Sequence, residues 1–141
     1  MLDTLYSQIG AAVVFAICVF ALVKGERTEQ WGAGVYVIGF LGSILVQDEA
    51  GLVDPQFAVL AIDLIALGVF GTLAWKSERS WPVWATAFQA VGVAVHLAFA
   101  MDLRIGARAY IAALALSSYG VLAALGVGAW IAWREREALK F

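Results

Sequence analysis

A single cysteine, Cys18, occurs among the 141 residues, so no disulfide can form within the chain. It lies in an apolar run, where a thiol packs as a small hydrophobe. There is one histidine, His96. One imidazole cannot ligate a haem on both faces, and Met101 stands too near it in sequence to supply a second axial ligand. No group of His, Cys, Asp and Glu has metal-ligand spacing. No serine stands in a nucleophile turn with histidine and acid partners. Charge is scarce as well: Asp, Glu, Lys and Arg make up 14 % of the chain, against about 25 % in soluble domains. No basic block is long enough to hold nucleic acid. The sequence therefore leads us to expect no catalytic residues, no cofactor, no metal and no nucleic-acid partner.

What is present is apolar. Hydrophobic residues make up 63 % of the chain, where a soluble domain carries about 45–50 %. They come in long runs, without a period-2 or narrow 3.6-period pattern, and such runs bury well only in lipid. Five runs are long enough to count as spans: 2–23, 31–46, 57–75, 81–101 and 109–133. A helix crossing the hydrocarbon needs about 17–25 residues, so the second run is expected to extend into its flanks. Asp54-Pro55 and Ser80-Trp81-Pro82 read as N-caps followed by proline in the first turn. The connections "KGERTEQ", "QDEAGLVDPQ", "KSERS" and "DLRIGARA" are short, which makes consecutive helices antiparallel neighbours. The tail "WREREALKF" continues the last helix into water. The fragment "WGAGVYVIG" echoes a phosphate loop, but it follows no strand and sits within a span. The expected fold is a single all-α domain, residues 1–141, in which five transmembrane helices run up and down.

Orientation follows from the cations. Five spans put Lys24, Arg27, Lys76, Arg79, Arg134, Arg136 and Lys140 on one side and only Arg104 and Arg108 on the other. The positive-inside rule then places the first set in the cytoplasm and the amino terminus outside. All six tryptophans, Trp31, Trp75, Trp81, Trp84, Trp130 and Trp133, fall at that same side. Indoles prefer the headgroup level, so these six are expected to be interface anchors. The first run is preceded by Asp3 and followed by its basic residues, the reverse of a secretory signal, and reads as an uncleaved anchor. The expected location is a bacterial inner (plasma) membrane.

Small residues recur at helical spacing: Gly39 and Ser43, Gly68 and Thr72, and Ser117, Gly120, Ala124 and Gly128. In lipid such strips let helix backbones approach, either within one bundle or across a homo-oligomer interface. Asp63, Gln89 and His96 are strongly polar side chains clearly within spans. Gln89 and His96 are two turns apart on one face of the fourth helix. At 1.5 Å per residue, His96 lies about 8 Å from the outer end of its span and Asp63 about 9 Å from the outer end of its own. The third and fourth spans are joined by few residues, so the acid and the imidazole are expected to meet. Gln89 is expected deeper, level with Ser117, Ser118 and Tyr119 of the last span. Tyr110 is placed at the outer rim.

Two readings of these groups stand side by side. In one they are interhelical hydrogen bonds that fix helix order, each contributing about 0.6 kcal/mol on average. In the other they line a proton path or a pocket for a quinone, lipid headgroup or small solute, since intramembrane ionisable groups are functional candidates. Small multidrug exporters are of similar size, but they have four spans and a glutamate within the first, which this chain lacks. The expected function is therefore a non-catalytic accessory or assembly subunit of a larger membrane complex. Its expected partners are the bilayer and other membrane subunits or further copies of itself. The alternative is a small homo-oligomeric transporter or proton-linked, quinone- or lipid-binding protein using Asp63 and His96. A reporter fused after Phe141 is expected to be active only on the cytoplasmic side; activity on the far side would invert the topology.

Overall fold

The computed structural model describes residues 4–48, 55–102 and 104–140. Five α-helices occupy them: α1 (Leu5–Lys24), α2 (Arg27–Asp48), α3 (Pro55–Lys76), α4 (Trp81–Met101) and α5 (Ala107–Ala138). No strand occurs among the described residues. Each helix is long and apolar enough to cross a membrane. At a rise of about 1.5 Å per residue, 22 residues reach about 33 Å, enough for a hydrocarbon core of about 30 Å. The second span is longer than the run that announces it, because Arg27–Gln30 and the residues after Val46 join the helix. The last helix continues through the charged tail to Ala138.

Helix ends are set locally. Thr4 caps α1, its side chain accepting from the Ser7 amide at 3.3 Å. Asp54, expected to cap α3, lies outside the described residues. Ser80 does not cap α4 as expected: its backbone is already helical and its side chain makes no capping bond. Between α1 and α2 only Gly25 and Glu26 remain. A Cβ at residue 25 would stand 2.3 Å from the Ala21 carbonyl oxygen and 2.5 Å from Glu29 Cβ, so only glycine lets the two helices turn so tightly. Glu29 then reaches back to accept from the Glu26 amide at 2.8 Å, the reciprocal half of a capping box.

The helices pack in chain order as a closed ring, α1 against α2 and so on to α5, which returns to α1. α2 also reaches across to α5. The most extensive interface is α4 with α5. The core is formed by Val14, Cys18, Ala21, Ala33, Phe70, Trp81, Ala85, Val121, Leu122, Leu125 and Ala129. At its centre is Trp81, only 3 % exposed. The indole is wedged between Gly32 of α2 and Gly128 of α5, where an added Cβ would come within 2.4 Å and 2.3 Å of it. Phe70 of α3 meets it edge-on at 6.3 Å. One α4 side chain thus touches three other helices, α2, α3 and α5. This corrects the expectation that Trp81 is an interface anchor: two glycines open a slot that fits an indole. Trp31, Trp75, Trp84 and Trp130 are exposed. Trp133 leans edge-on against Phe20 and Trp130.

The small-residue strips divide in the same way. Gly120 and Gly128 are filled by the rings of Phe88 and Trp81, and Gly39 takes Ile62 at an ordinary contact distance. Gly68 has open space over it, and Thr72 spends its hydroxyl on the Gly68 carbonyl at 2.8 Å. That pair faces outward and has no part in the bundle's own packing. Gly32→Ala is expected to destabilise the bundle by about 1–3 kcal/mol through overpacking against a rigid ring. Gly68→Ala should be neutral or stabilising by up to about 1 kcal/mol, the helical preference for alanine. Reversible unfolding in mixed micelles compares the two.

Candidate functional site

Asp63 on α3 is held by two residues of α4 that are seven apart, about 10.5 Å along the helix. Gln89 Nε2 donates to Asp63 Oδ1 at 3.0 Å and lies 3.3 Å from the Asp63 carbonyl oxygen. His96 Nε2 lies 2.9 Å from Oδ2. On its far side, His96 Nδ1 is 2.7 Å from the Tyr110 hydroxyl of α5, and the Tyr110 ring stacks on Phe99 at 4.3 Å. A polar chain therefore runs Tyr110–His96–Asp63–Gln89 across α5, α4 and α3. The His96 side chain is 4 % exposed and that of Asp63 23 %, so the imidazole is sealed in the bundle while the carboxylate keeps an outward edge.

The two contacts of the imidazole differ in quality. The Tyr110 hydroxyl is a good partner: with the ring proton on Nε2, the hydroxyl donates to Nδ1, and with it on Nδ1 the roles reverse. The Asp63 oxygen is close to Nε2 but off its N–H direction, so Nε2 is buried without an aligned hydrogen bond. An ionised aspartate at the centre of a membrane helix costs about 2.5–3.5 kcal/mol; against that cost the structure sets the Gln89 amide, the outward edge of the carboxylate and the neighbouring imidazole. A cleft of about 20 Å³ lies beside it, lined by Gln56, Phe57, Leu60, His96, Ala100 and Tyr110.

The structure thus brings Asp63, Gln89 and His96 together, and adds Tyr110, whose hydroxyl reaches His96 from the start of α5. The signal was available: Tyr110 stands three residues into α5 and His96 five from the end of α4, similar depths on neighbouring helices. Gln89 does not meet the serines of α5. Ser117 donates to the Phe88 carbonyl at 2.6 Å and fills the space over Gly92. Ser118 shares a 2.7 Å hydrogen bond with Tyr36 of α2. The Tyr119 hydroxyl lies over Gly10 of α1. Each α5 residue serves a different neighbour because 117, 118 and 119 point about 100° apart around the helix.

A second polar cluster, unannounced by the spans, closes the tryptophan-rich end. Glu29 is fully buried; one oxygen accepts from the Glu26 amide and the other from Trp81 Nε1 at 2.9 Å. Arg79, between α3 and α4, donates to Glu26 at 2.8 Å and to Glu135 of α5 at 2.7 Å, with its Nε 3.9 Å from Glu29. Glu26 first, against the opposing effect of burial, and then Glu135 hold this guanidinium's pKa above the ordinary arginine value. Arg136 donates to the Lys24 carbonyl, and Lys24 lies over the Trp133 ring at 5.9 Å. Glu26 and Glu135 are largely exposed, so their ion pairs contribute about 0–1 kcal/mol each. The buried Glu29–Trp81 bond, at about 1.5–3 kcal/mol for a charged acceptor, outweighs them. The sequence signal for Glu29 is the "ERTE" spacing of a capping box.

Among the described residues no group of three or more His, Cys, Asp and Glu could hold a metal ion. Comparison with protein families, curated proteins and solved structures finds no match for this chain. A double-mutant cycle on Asp63→Asn and His96→Gln, read by unfolding in mixed micelles, is expected to give a coupling of about 0.6–1.7 kcal/mol. A value near zero would remove the pair from the account of stability.

Proposed function

We propose that this chain is a non-catalytic membrane subunit. It is a small bundle of a bacterial inner membrane, tryptophan-rich end in the cytoplasm, that supports the assembly or stability of a larger complex, built with other subunits or with further copies of itself. The observation that carries this reading is the mutual pairing of the intramembrane polar groups. Asp63 is occupied by Gln89 and His96, and His96 by Tyr110. The cleft beside His96 has room for about one water molecule, and Gln89 is not among its walls. A solute pathway would need space running past Asp63 to Gln89. The outward face of α3, with Leu64, Ile65, Gly68, Thr72 and Trp75 exposed, suits lateral contact, because nothing covers Gly68 and a second backbone can approach there. The seven-to-two division of lysine and arginine supports the orientation.

A proton-linked site is the second reading. It is favoured by one observation: the buried Nε2 of His96 lacks an aligned hydrogen bond beside the small cleft. Gentle extraction followed by native mass spectrometry is expected to find the chain in a stoichiometric assembly. Asp63→Asn is expected to reduce the stability of that assembly without changing proton or solute flux in reconstituted vesicles. Selective loss of flux from a normally folded Asp63→Asn protein would exchange the two readings.

A further inference from the structure

The outward side of the α4–α5 interface carries a groove of about 290 Å³. Trp84, Phe88, Ala123, Val127 and Ile131 form its apolar length, and Arg79 and Ser80 stand at one end. From Gly120 to Ile131 it follows α5 for about 16 Å. We propose that this groove holds one acyl chain of a phospholipid with a zwitterionic, amine-bearing headgroup, whose phosphate lies at Arg79 and Ser80.

Packing argues for a thin occupant. The glycines that would let a partner helix approach are spent, since Phe88 fills Gly120 and Trp81 fills Gly128. An extended hydrocarbon chain needs no glycine. Each methylene it buries contributes about 0.8 kcal/mol when taken from water, although transfer from lipid returns less, so the headgroup must supply selectivity.

The polar end fits a phosphate. A guanidinium has five N–H donors, and the bonds from Arg79 to Glu26 and Glu135 leave others to share. Ser80 makes no side-chain capping bond, and the first turn of α4 has no acidic residue of its own. The carboxylates beside Arg79 select the rest of the headgroup. Glu26 and Glu135 are 45 % and 56 % exposed, and Glu135 stands one turn beyond Ile131 on the same face of α5. A cation flanked by two accessible anions complements a phosphate joined to an ammonium. It repels a headgroup that is purely anionic.

The test uses the full chain, purified in mild detergent, stripped of lipid and then given defined phospholipids, with retention read by native mass spectrometry. One phosphatidylethanolamine per chain is expected to remain. Two variants weaken retention by about tenfold, a change of about 1.4 kcal/mol. Ala123→Trp plugs the groove. Ser80→Asp favours the helix terminus but opposes the phosphate, so thermal stability should hold while lipid is lost. Equal retention by either folded variant overturns the site, and so does equal or tighter retention of phosphatidylglycerol. Inorganic phosphate alone should leave the melting temperature unchanged; a rise matching that from the lipid would show a free-anion site and overturn the acyl-chain assignment. A phosphatidylethanolamine with a photoreactive acyl chain should label α5 between Gly120 and Ile131 in the unmodified protein. Labelling confined to other helices, or a dimer that buries the groove in lipid-free detergent, overturns the proposal without recourse to any variant.

Discussion

The contact between the Trp81 indole and the buried carboxylate of Glu29 is the one on which the packing of this bundle depends. Hydrocarbon offers no hydrogen bonds, so a buried carboxylate must be satisfied by the protein. Here the start of α2 supplies one donor, the Glu26 amide, and the start of α4 supplies the other, the indole N–H. The same ring fills the slot between Gly32 and Gly128. Moving Trp81 would strand a carboxylate and open a void shared by α2, α3 and α5. Chain direction, helix order and the close α4–α5 approach are all consistent with that single placement.

The two polar clusters do different work with the same chemistry. At the tryptophan-rich end, Arg79, Glu26, Glu29 and Glu135 bind the beginnings and ends of helices where water is near, and most of the ion pairing there is weak. Deeper in the membrane, Asp63, His96, Gln89 and Tyr110 join α3, α4 and α5. Bonds of this kind bring little energy apiece, since an unfolded membrane helix finds other partners. Their effect is on register. A carboxylate gripped by residues seven apart on one helix fixes how far α3 can slide along α4.

Much of the architecture was legible in the residues. Long apolar runs gave five helices, and short connections made them neighbours in chain order. Equal depth brought Asp63 to His96, because rise per residue is a property of the helix alone. Azimuth was harder. Gly68 and Thr72 have the spacing of a packing strip yet face outward, since small-residue spacing does not say which way the strip points. Tyr110 stands near the start of α5, and only the rotation of that helix shows that its hydroxyl turns toward His96. Trp81 was grouped with five other tryptophans by position; what distinguishes it is a pair of glycines 49 residues before and 47 after, a tertiary coincidence no local pattern carries. Glu29 was hidden in a connection because its helix starts earlier than the apolar run.

The separation of Glu29 from Trp81 in the chain has a consequence for how the protein is made. Fifty-two residues divide them, so a nascent chain displays the acid well before its indole exists. Without the α4 indole the Glu29 carboxylate has only one protein donor, the Glu26 amide, so its burial requires α4 or water to supply the other. The later half of the polypeptide completes the earlier half, and the bundle closes only once its fourth helix is in place.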